Sequence, residues 1–296
     1  MVARTPALAL LFVVAADAFY LPGVSPREYR EGEQVDLKVN KLTSTKTQLP
    51  YEYYSLPFCQ PEAPETVAEN LGEVLRGDKI MNSLYELKMG VEESCKVLCR
   101  KVLTQEEAKL FALRIDEDYR VTDMIVDNLP AATRVVEPAT PTSPSRVITI
   151  YERGFPLGFK GSAEIPGTQA GVNYLYNHHR LVFKYHMEPS FEGSRIVGFE
   201  VEPFSVSHKY DEPFDAAKPL GTCTVPKPVT HNLPPQQVSK ADTLIFTYDV
   251  RWEYSDVKWA SRWDVYLYAT DEQIHWCAKA ASLAQAASLA QAESLA

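Results

Sequence analysis

Alternation of apolar and polar residues is the dominant pattern along this chain, and it predicts strands. Val35, Leu37 and Val39 alternate with Asp36 and Lys38, the period of two that gives a strand one buried and one wet face. Tyr51 to Phe58 reads as a shorter extended segment, placed at an edge by Pro50 and Pro57, which cannot donate to a sheet ladder. Tyr85, Leu87 and Met89 repeat the alternation, and Val121 to Val126 forms a run closing at Asn128-Leu129-Pro130. Further strands are expected at 147–151, 173–177 and 180–187, the last with Leu181, Phe183, Tyr185 and Met187 on one face. Residues 195–203 and 204–208 read as another pair. Leu244 to Trp252 is the strongest strand, with Leu244, Phe246, Tyr248, Val250 and Trp252 on one side.

One helix interrupts this series. Thr104 and Glu107 form a capping-box pattern, followed by Ala108, Phe111, Ala112 and Ile115 at helical spacing. Asn70 to Arg76 reads as a short helix or turn ended by Gly77. Proline marks two irregular stretches: Glu137 to Ser145, a candidate internal boundary, and 213–235, a long loop pinned through Cys223. Repeated short strands with turn signals give a mainly β fold, an antiparallel β-sandwich (one large or two packed) with a single helical insertion near 104–116.

The amino terminus adds a compartment. Arg4, the apolar stretch from Ala7 to Ala16 and the small residues Ala16 and Ala18 form a secretory signal over 1–18, cleaved between Ala18 and Phe19. In an oxidising lumen, Cys59, Cys95, Cys99 and Cys223 are expected to form two disulfides, with three pairings open, and Cys277 is the odd thiol. No asparagine lies in an Asn-x-Ser/Thr acceptor pattern. The formal net charge of −9 is unchanged by cleavage, since Arg4 and Asp17 cancel, and it disfavours nucleic acid as a partner.

Catalytic and cofactor signatures are missing. His178, His179 and His186 invite a zinc site, but neighbours on a strand point to opposite faces, so a hairpin turn around Asn177 to Arg180 is the preferred reading. The loop 154–161, GFPLGFKG, has interleaved aromatics that suit a packed turn better than a phosphate cradle. The Cys95-x3-Cys99 spacing has no second Cys/His pair to complete a metal site. No catalytic residue, cofactor or metal is therefore assigned, and no feature sets an oligomeric state.

All four tryptophans, Trp252, Trp259, Trp263 and Trp276, lie in the run TYDVRWEYSDVKWASRWDVYLYATDEQIHW from Thr247 to Trp276. Such amphipathic rings favour the headgroup layer, which makes Trp259, Trp263 and Trp276 membrane-proximal candidates. This run resembles the nonaspanins, or transmembrane 9 superfamily, as do the blocks FYLPGVSPREYREGEQVDLKVNKLTSTKTQLPYEYYSLPFCQP from Phe19, NLGEVLRGDKIMNSLYELKMGVEESCKVLC from Asn70 and YRVTDMIVDNLPA from Tyr119. The resemblance implies a lumenal domain over 19–276 of a protein that sorts membrane-protein cargo through Golgi and endosomes, joined to the membrane by spans that follow it. Residues 277–296 depart from the family: they form an alanine-rich tail with Leu283, Leu289 and Leu295 at a spacing that fits no single helical face, where a first span is expected. Two rivals are a secreted β-sandwich that binds carbohydrate or protein through exposed aromatics, and a hydrolase with convergent acid, base and nucleophile.

Overall fold

The computed structural model describes residues 25–66, 75, 77–137, 148–210, 214–216, 218, 220–223, 229–238 and 243–267. The signal sequence with Ala18 and Phe19, residues 70–76 apart from Leu75, residues 138–145, Trp276, Cys277 and the tail lie outside them.

Six strands build the principal sheet: β1 (Glu93–Val102), β2 (Ala132–Glu137), β3 (Ile148–Arg153), β4 (His178–His186), β5 (Arg195–Phe204) and β6 (Thr243–Tyr254). Their order is β3-β2-β5-β4-β6-β1. The pairs β2/β3, β4/β5 and β1/β6 are antiparallel, whereas β2/β5 and β4/β6 run parallel. The mainly β, largely antiparallel fold expected from the sequence is present, with a principal sheet that is mixed. The chain leaves β5 at Phe204 and returns only at Thr243, long enough to cross β4 and run beside it in the same direction. The strands flanking the proline-rich 137–145 segment pair with each other from Ala132↔Arg153 to Glu137↔Ile148, so it joins neighbours in one sheet.

Short strands form the facing layer. Leu37–Val39 pairs with Met124–Val126 and Met81–Asn82, while Lys41–Thr43 pairs with Arg120–Val121 and Tyr51–Glu52. The run read as one strand over 121–126 is split between two sheets at Thr122 and Asp123. Gly154 sits where these layers meet: its φ is +67°, and a Cβ there would press on the Val121 carbonyl. Helix α1 (Gln105–Asp116) begins at Thr104 with both halves of the capping box made, Glu107 N–H donating to Thr104 Oγ1 at 3.2 Å and Thr104 N–H to Glu107 Oε2 at 2.8 Å. It buries Ala108, Phe111 and Ile115.

The core lies between the two layers. From the principal sheet come Leu181, Phe183, Phe199, Val201, Leu244, Phe246, Tyr248 and Val250; from the facing layer come Val35, Leu37, Leu42, Phe58, Phe111 and Met124. Aromatic edges join them, with Phe58 5.9 Å from Phe246 and Tyr85 5.0 Å from Tyr248. His179 belongs to this face, its Nδ1 2.9 Å from the Tyr85 hydroxyl. Met187, expected on the same face, lies beyond the strand and is exposed. Phe183 is stacked between Phe199 at 4.9 Å and Trp252 at 4.7 Å. Phe183→Ala should therefore cost about 3–5 kcal/mol in urea unfolding, against roughly 0.5 kcal/mol or less for the exposed Leu113→Ala control; equal losses would contradict this core.

Candidate coupling site and buried histidine network

Two features carry function-like chemistry, and both are attached to β6. The first is the segment that follows β6. After Tyr254 it passes through a single 3-10 turn at Trp259–Ser261 and a one-turn helix, α2, at Asp264–Leu267. Arg262 lies between them, only 2% exposed, with Nη1 2.7 Å from Asp127 Oδ2 and 3.3 Å from the Ile196 carbonyl. Its guanidinium stacks 4.4 Å from the Trp259 ring, and the Tyr266 hydroxyl donates to the Pro130 carbonyl at 2.5 Å. Asp127 and Asn128 form the tight turn between Met124–Val126 and Leu129–Pro130, with φ of 48° and 62°. Asp and Asn tolerate that left-handed geometry better than other side-chain-bearing residues. The turn therefore presents a fixed carboxylate to an arginine that arrives from 135 residues away.

The aromatic run from Thr247 divides at the end of β6. Thr247 to Val250 form the buried middle of β6, and Trp252 donates its indole N–H to the Val91 carbonyl at 3.1 Å. Trp259 is half-buried beneath Arg262, and Trp263 is exposed. Among the described tryptophans, only Trp263 meets solvent freely.

The second feature occupies the outer face of the principal sheet. His178 and His179 open β4 and point to opposite sides, both buried, so the expected hairpin turn is corrected to a strand start. Asn177 makes this possible: its side chain bonds the Val206 N–H and carbonyl and the Ile245 carbonyl, supplying the backbone pairing that a turn would have kept local. On the outer face, Asp249 is 2% exposed. It accepts from the Cys95 N–H at 2.7 Å and Arg180 Nε at 3.1 Å, with His178 Nε2 3.4 Å away. Burial alone would raise the Asp249 carboxyl, but His178, the Cys95 N–H and Arg180 outweigh it and hold the group at about 2.

Residues 204–208 are another correction. They were expected as a strand paired with 195–203, but Phe204 ends β5 and the following residues fold over the sheet. There Phe204, Val206, Cys223 and Val229 make a small second core. His208 Nε2 lies 2.9 Å from Thr247 Oγ1, which is 2.8 Å from His178 Nδ1. Burial, reinforced by His178 nearby, lowers His208 to about 3, so its imidazole is neutral at physiological pH.

The four expected disulfide cysteines are all paired, as Cys59–Cys99 and Cys95–Cys223, with Cα separations of 5.8 and 5.7 Å. Closing loops of 40 and 128 residues contributes on the order of 4 to 5 kcal/mol each in the chain-entropy picture. Cys59 belongs to the main core, whereas Cys223 belongs to the outer cluster. The pairing had no local sequence signal, because both partners of Cys95 and Cys99 are set by the sheet. Arg262, Asp127, Asp249 and His208 also escaped the sequence reading. The Asp127-Asn128 turn pair and a lone arginine among tryptophans were the available signals.

His186, the third histidine considered for zinc, closes β4 far from the other two. Its Nδ1 is 2.7 Å from the Ser255 carbonyl and its Nε2 is 3.1 Å from Glu188 Oε1. Both partners accept, so only the imidazolium satisfies both. The Ser255 carbonyl first, then Glu188, raise its pKa.

Two measurements check these geometries. Arg262→Ala leaves Asp127 buried without its cation and should destabilise by roughly 3–5 kcal/mol in urea unfolding, with much of the loss recovered when Asp127→Asn is combined with Arg262→Met. A loss below about 0.5 kcal/mol would remove the clamp. For His186, the folded value lies above the free one, so its stabilisation is complete below the ordinary histidine range and is lost as pH rises through the raised value. An NMR titration should give a midpoint above that of free histidine, and Glu188→Gln should lower it; a midpoint at or below the free value contradicts the contact.

The chain matches the family model described as endomembrane protein 70 over residues 50–291. Transmembrane 9 superfamily member 8 of Arabidopsis thaliana is 45% identical over 276 residues, covering 93% of this chain and 42% of the relative. Member 10 of Arabidopsis thaliana is 46% identical over 260 residues, 87% and 40% respectively, and member 4 of Homo sapiens is 43% identical over 286 residues, 90% and 42%. The chain thus spans less than half the length of these relatives, and no solved structure matches it. Among the described residues, no helix is long and apolar enough to cross a membrane. On the strength of the family model and these identities, the chain belongs to the endomembrane protein 70 family, the transmembrane 9 superfamily of endomembrane proteins.

Proposed function

We propose that this domain is the lumenal recognition part of a protein that sorts membrane-protein cargo in Golgi and endosomal membranes, and that it acts by binding. Membership of an endomembrane family supports the compartment. The observation that carries the reading is the docking of residues 259–267 through Arg262 and Tyr266 onto the 124–130 hairpin. A stiff exit passes a load from the domain to whatever follows it, where a flexible linker would dissipate it. In this reading that segment leads to the first membrane span, and Trp263 faces the headgroup layer.

The rival of a secreted carbohydrate binder needs tryptophans gathered on an exposed face. Trp252 and Trp259 are half-buried instead, which favours coupling over sugar stacking. A hydrolase would need an open centre, yet the assembly of His178, Thr247 and Asp249 is buried at 0–2% exposure. That arrangement suits a structural network.

Lumenal proximity labelling tests the function. With a labelling enzyme fused ahead of Phe19 and behind a signal sequence, the chain should be protected from protease in sealed microsomes and should label transmembrane proteins of Golgi and endosomes. Protease sensitivity, or a labelled set made up of soluble glycoproteins, would overturn it.

A further inference from the structure

The two disulfides sit in different chemical surroundings. Cys59–Cys99 is embedded in the main apolar core, against Phe58 and its neighbours. Cys95–Cys223 ties β1 to the connection over the outer face, and its Cys223 Sγ lies 3.6 Å from His208 Nδ1. The two sulfurs and one imidazole nitrogen all lie within 4.8 Å of one another. Cys95 occupies an irregular point of β1, where the β1/β6 register shifts, and its φ is +51°. Non-glycine residues held in that region cost energy and concentrate at functional sites.

The surrounding hydrogen bonds also orient the histidine ring with Nδ1 toward the sulfurs. His208 Nε2 lies 2.9 Å from Thr247 Oγ1, which is 2.8 Å from His178 Nδ1, and His208 Nδ1 is 2.8 Å from Thr222 Oγ1; a neutral His178 with its proton on Nε2, facing Asp249, accepts from Thr247 at Nδ1, so Thr247 accepts from His208 Nε2–H. In this tautomer the lone pair of His208 is on Nδ1, the sulfur side, and the Thr222 hydroxyl must turn away for a cation to take it. Thr247 plays the part that an outer-shell group plays for a metal-bound histidine, holding tautomer and ring orientation.

We propose that Cys95, Cys223 and His208 form a redox-gated site for a thiophilic divalent cation such as Zn2+, closed in the disulfide form and opened by a dithiol or phosphine reductant. This inference is independent of the sorting function. Reduction by a dithiol transfers two electrons and two protons to the Cys95–Cys223 bond, giving two thiols and the reductant's own disulfide. Cation binding then releases the two thiol protons to solvent, leaving two thiolates and the neutral imidazole on the metal and a fourth position for water. Among the described residues no imidazole is grouped with Cys59–Cys99, which stays structural in this scheme.

The test uses the full chain carrying Cys277→Ser, so that no fifth thiol contributes. After treatment with a phosphine, which leaves as its oxide with oxygen from water, mass mapping should find Cys95 and Cys223 reduced while Cys59–Cys99 persists. Co2+ added to this form should bind one equivalent with thiolate-to-cobalt charge-transfer absorption, be displaced by Zn2+, and leave the oxidised protein without that band. His208→Gln should retain both thiols but bind Co2+ at least about tenfold more weakly, since a direct ligand matters no less than an outer-shell one. Absence of the band in the reduced protein overturns the proposal, as does equal affinity in the His208→Gln variant. Should that variant fail to fold, the absorption of the reduced parent against the oxidised parent still decides.

Discussion

Burial of β6 on both faces is the constraint from which the rest of this structure follows. A strand at a solvated surface can alternate apolar and polar residues, but Leu244, Phe246, Tyr248 and Val250 meet the main core while Ile245, Thr247 and Asp249 are equally inaccessible on the other side. A buried carboxylate such as Asp249 is costly unless it is paired and hydrogen-bonded. Arg180 comes from one neighbouring strand and the Cys95 N–H from the other, so the carboxylate stitches β4, β6 and β1 together. Arg180 reaches further, to Glu202 on β5 at 3.0 Å and to the Val229 carbonyl in the covering connection at 2.8 Å. Neutralising Asp249 and capping the sheet are one arrangement.

The apolar side of this arrangement was written plainly in the sequence. Strict alternation from Leu244 to Trp252, the capping box at Thr104 and the inward set Leu181 and Phe183 all lie where their periods place them, because each signal depends on neighbours a few residues apart. The polar side was not legible. Asp249 looks like one more solvated acid between Tyr248 and Val250, and His178 like half of a turn. Their roles come from residues 69 to 154 positions away, and a periodic pattern holds no information about such partners. The two parallel pairings within the principal sheet were not legible for the same reason: direction depends on the path of the 205–242 connection, whose prolines announce irregularity without saying where it leads.

Arg262 illustrates an intermediate case. The aromatic run around it suggested an interface with lipid, and composition alone cannot distinguish a tryptophan that faces headgroups from one that supports an arginine. In the folded chain Trp259 supports the guanidinium while Trp263, four residues on, is exposed. Alternation of inward and outward rings within one turn makes the segment two-sided. Its inner side is bonded to the 124–130 hairpin, which is itself paired through Leu37–Val39 to the facing layer.

Rigidity is therefore distributed unevenly about β6. At its carboxyl end the chain continues into contacts fixed by an ion pair with 2% and 7% exposed side chains, together with a tyrosine hydroxyl bond. Beside its centre, cohesion on the outer face comes from a small apolar cluster, a chain of histidine and threonine bonds, and one disulfide. Few apolar contacts and many polar ones describe a region that opens at lower free energy than the core. The outer-face cluster of Phe204, Val206, Cys223 and Val229 and the Arg262 contact with the 124–130 hairpin are thus held by different means.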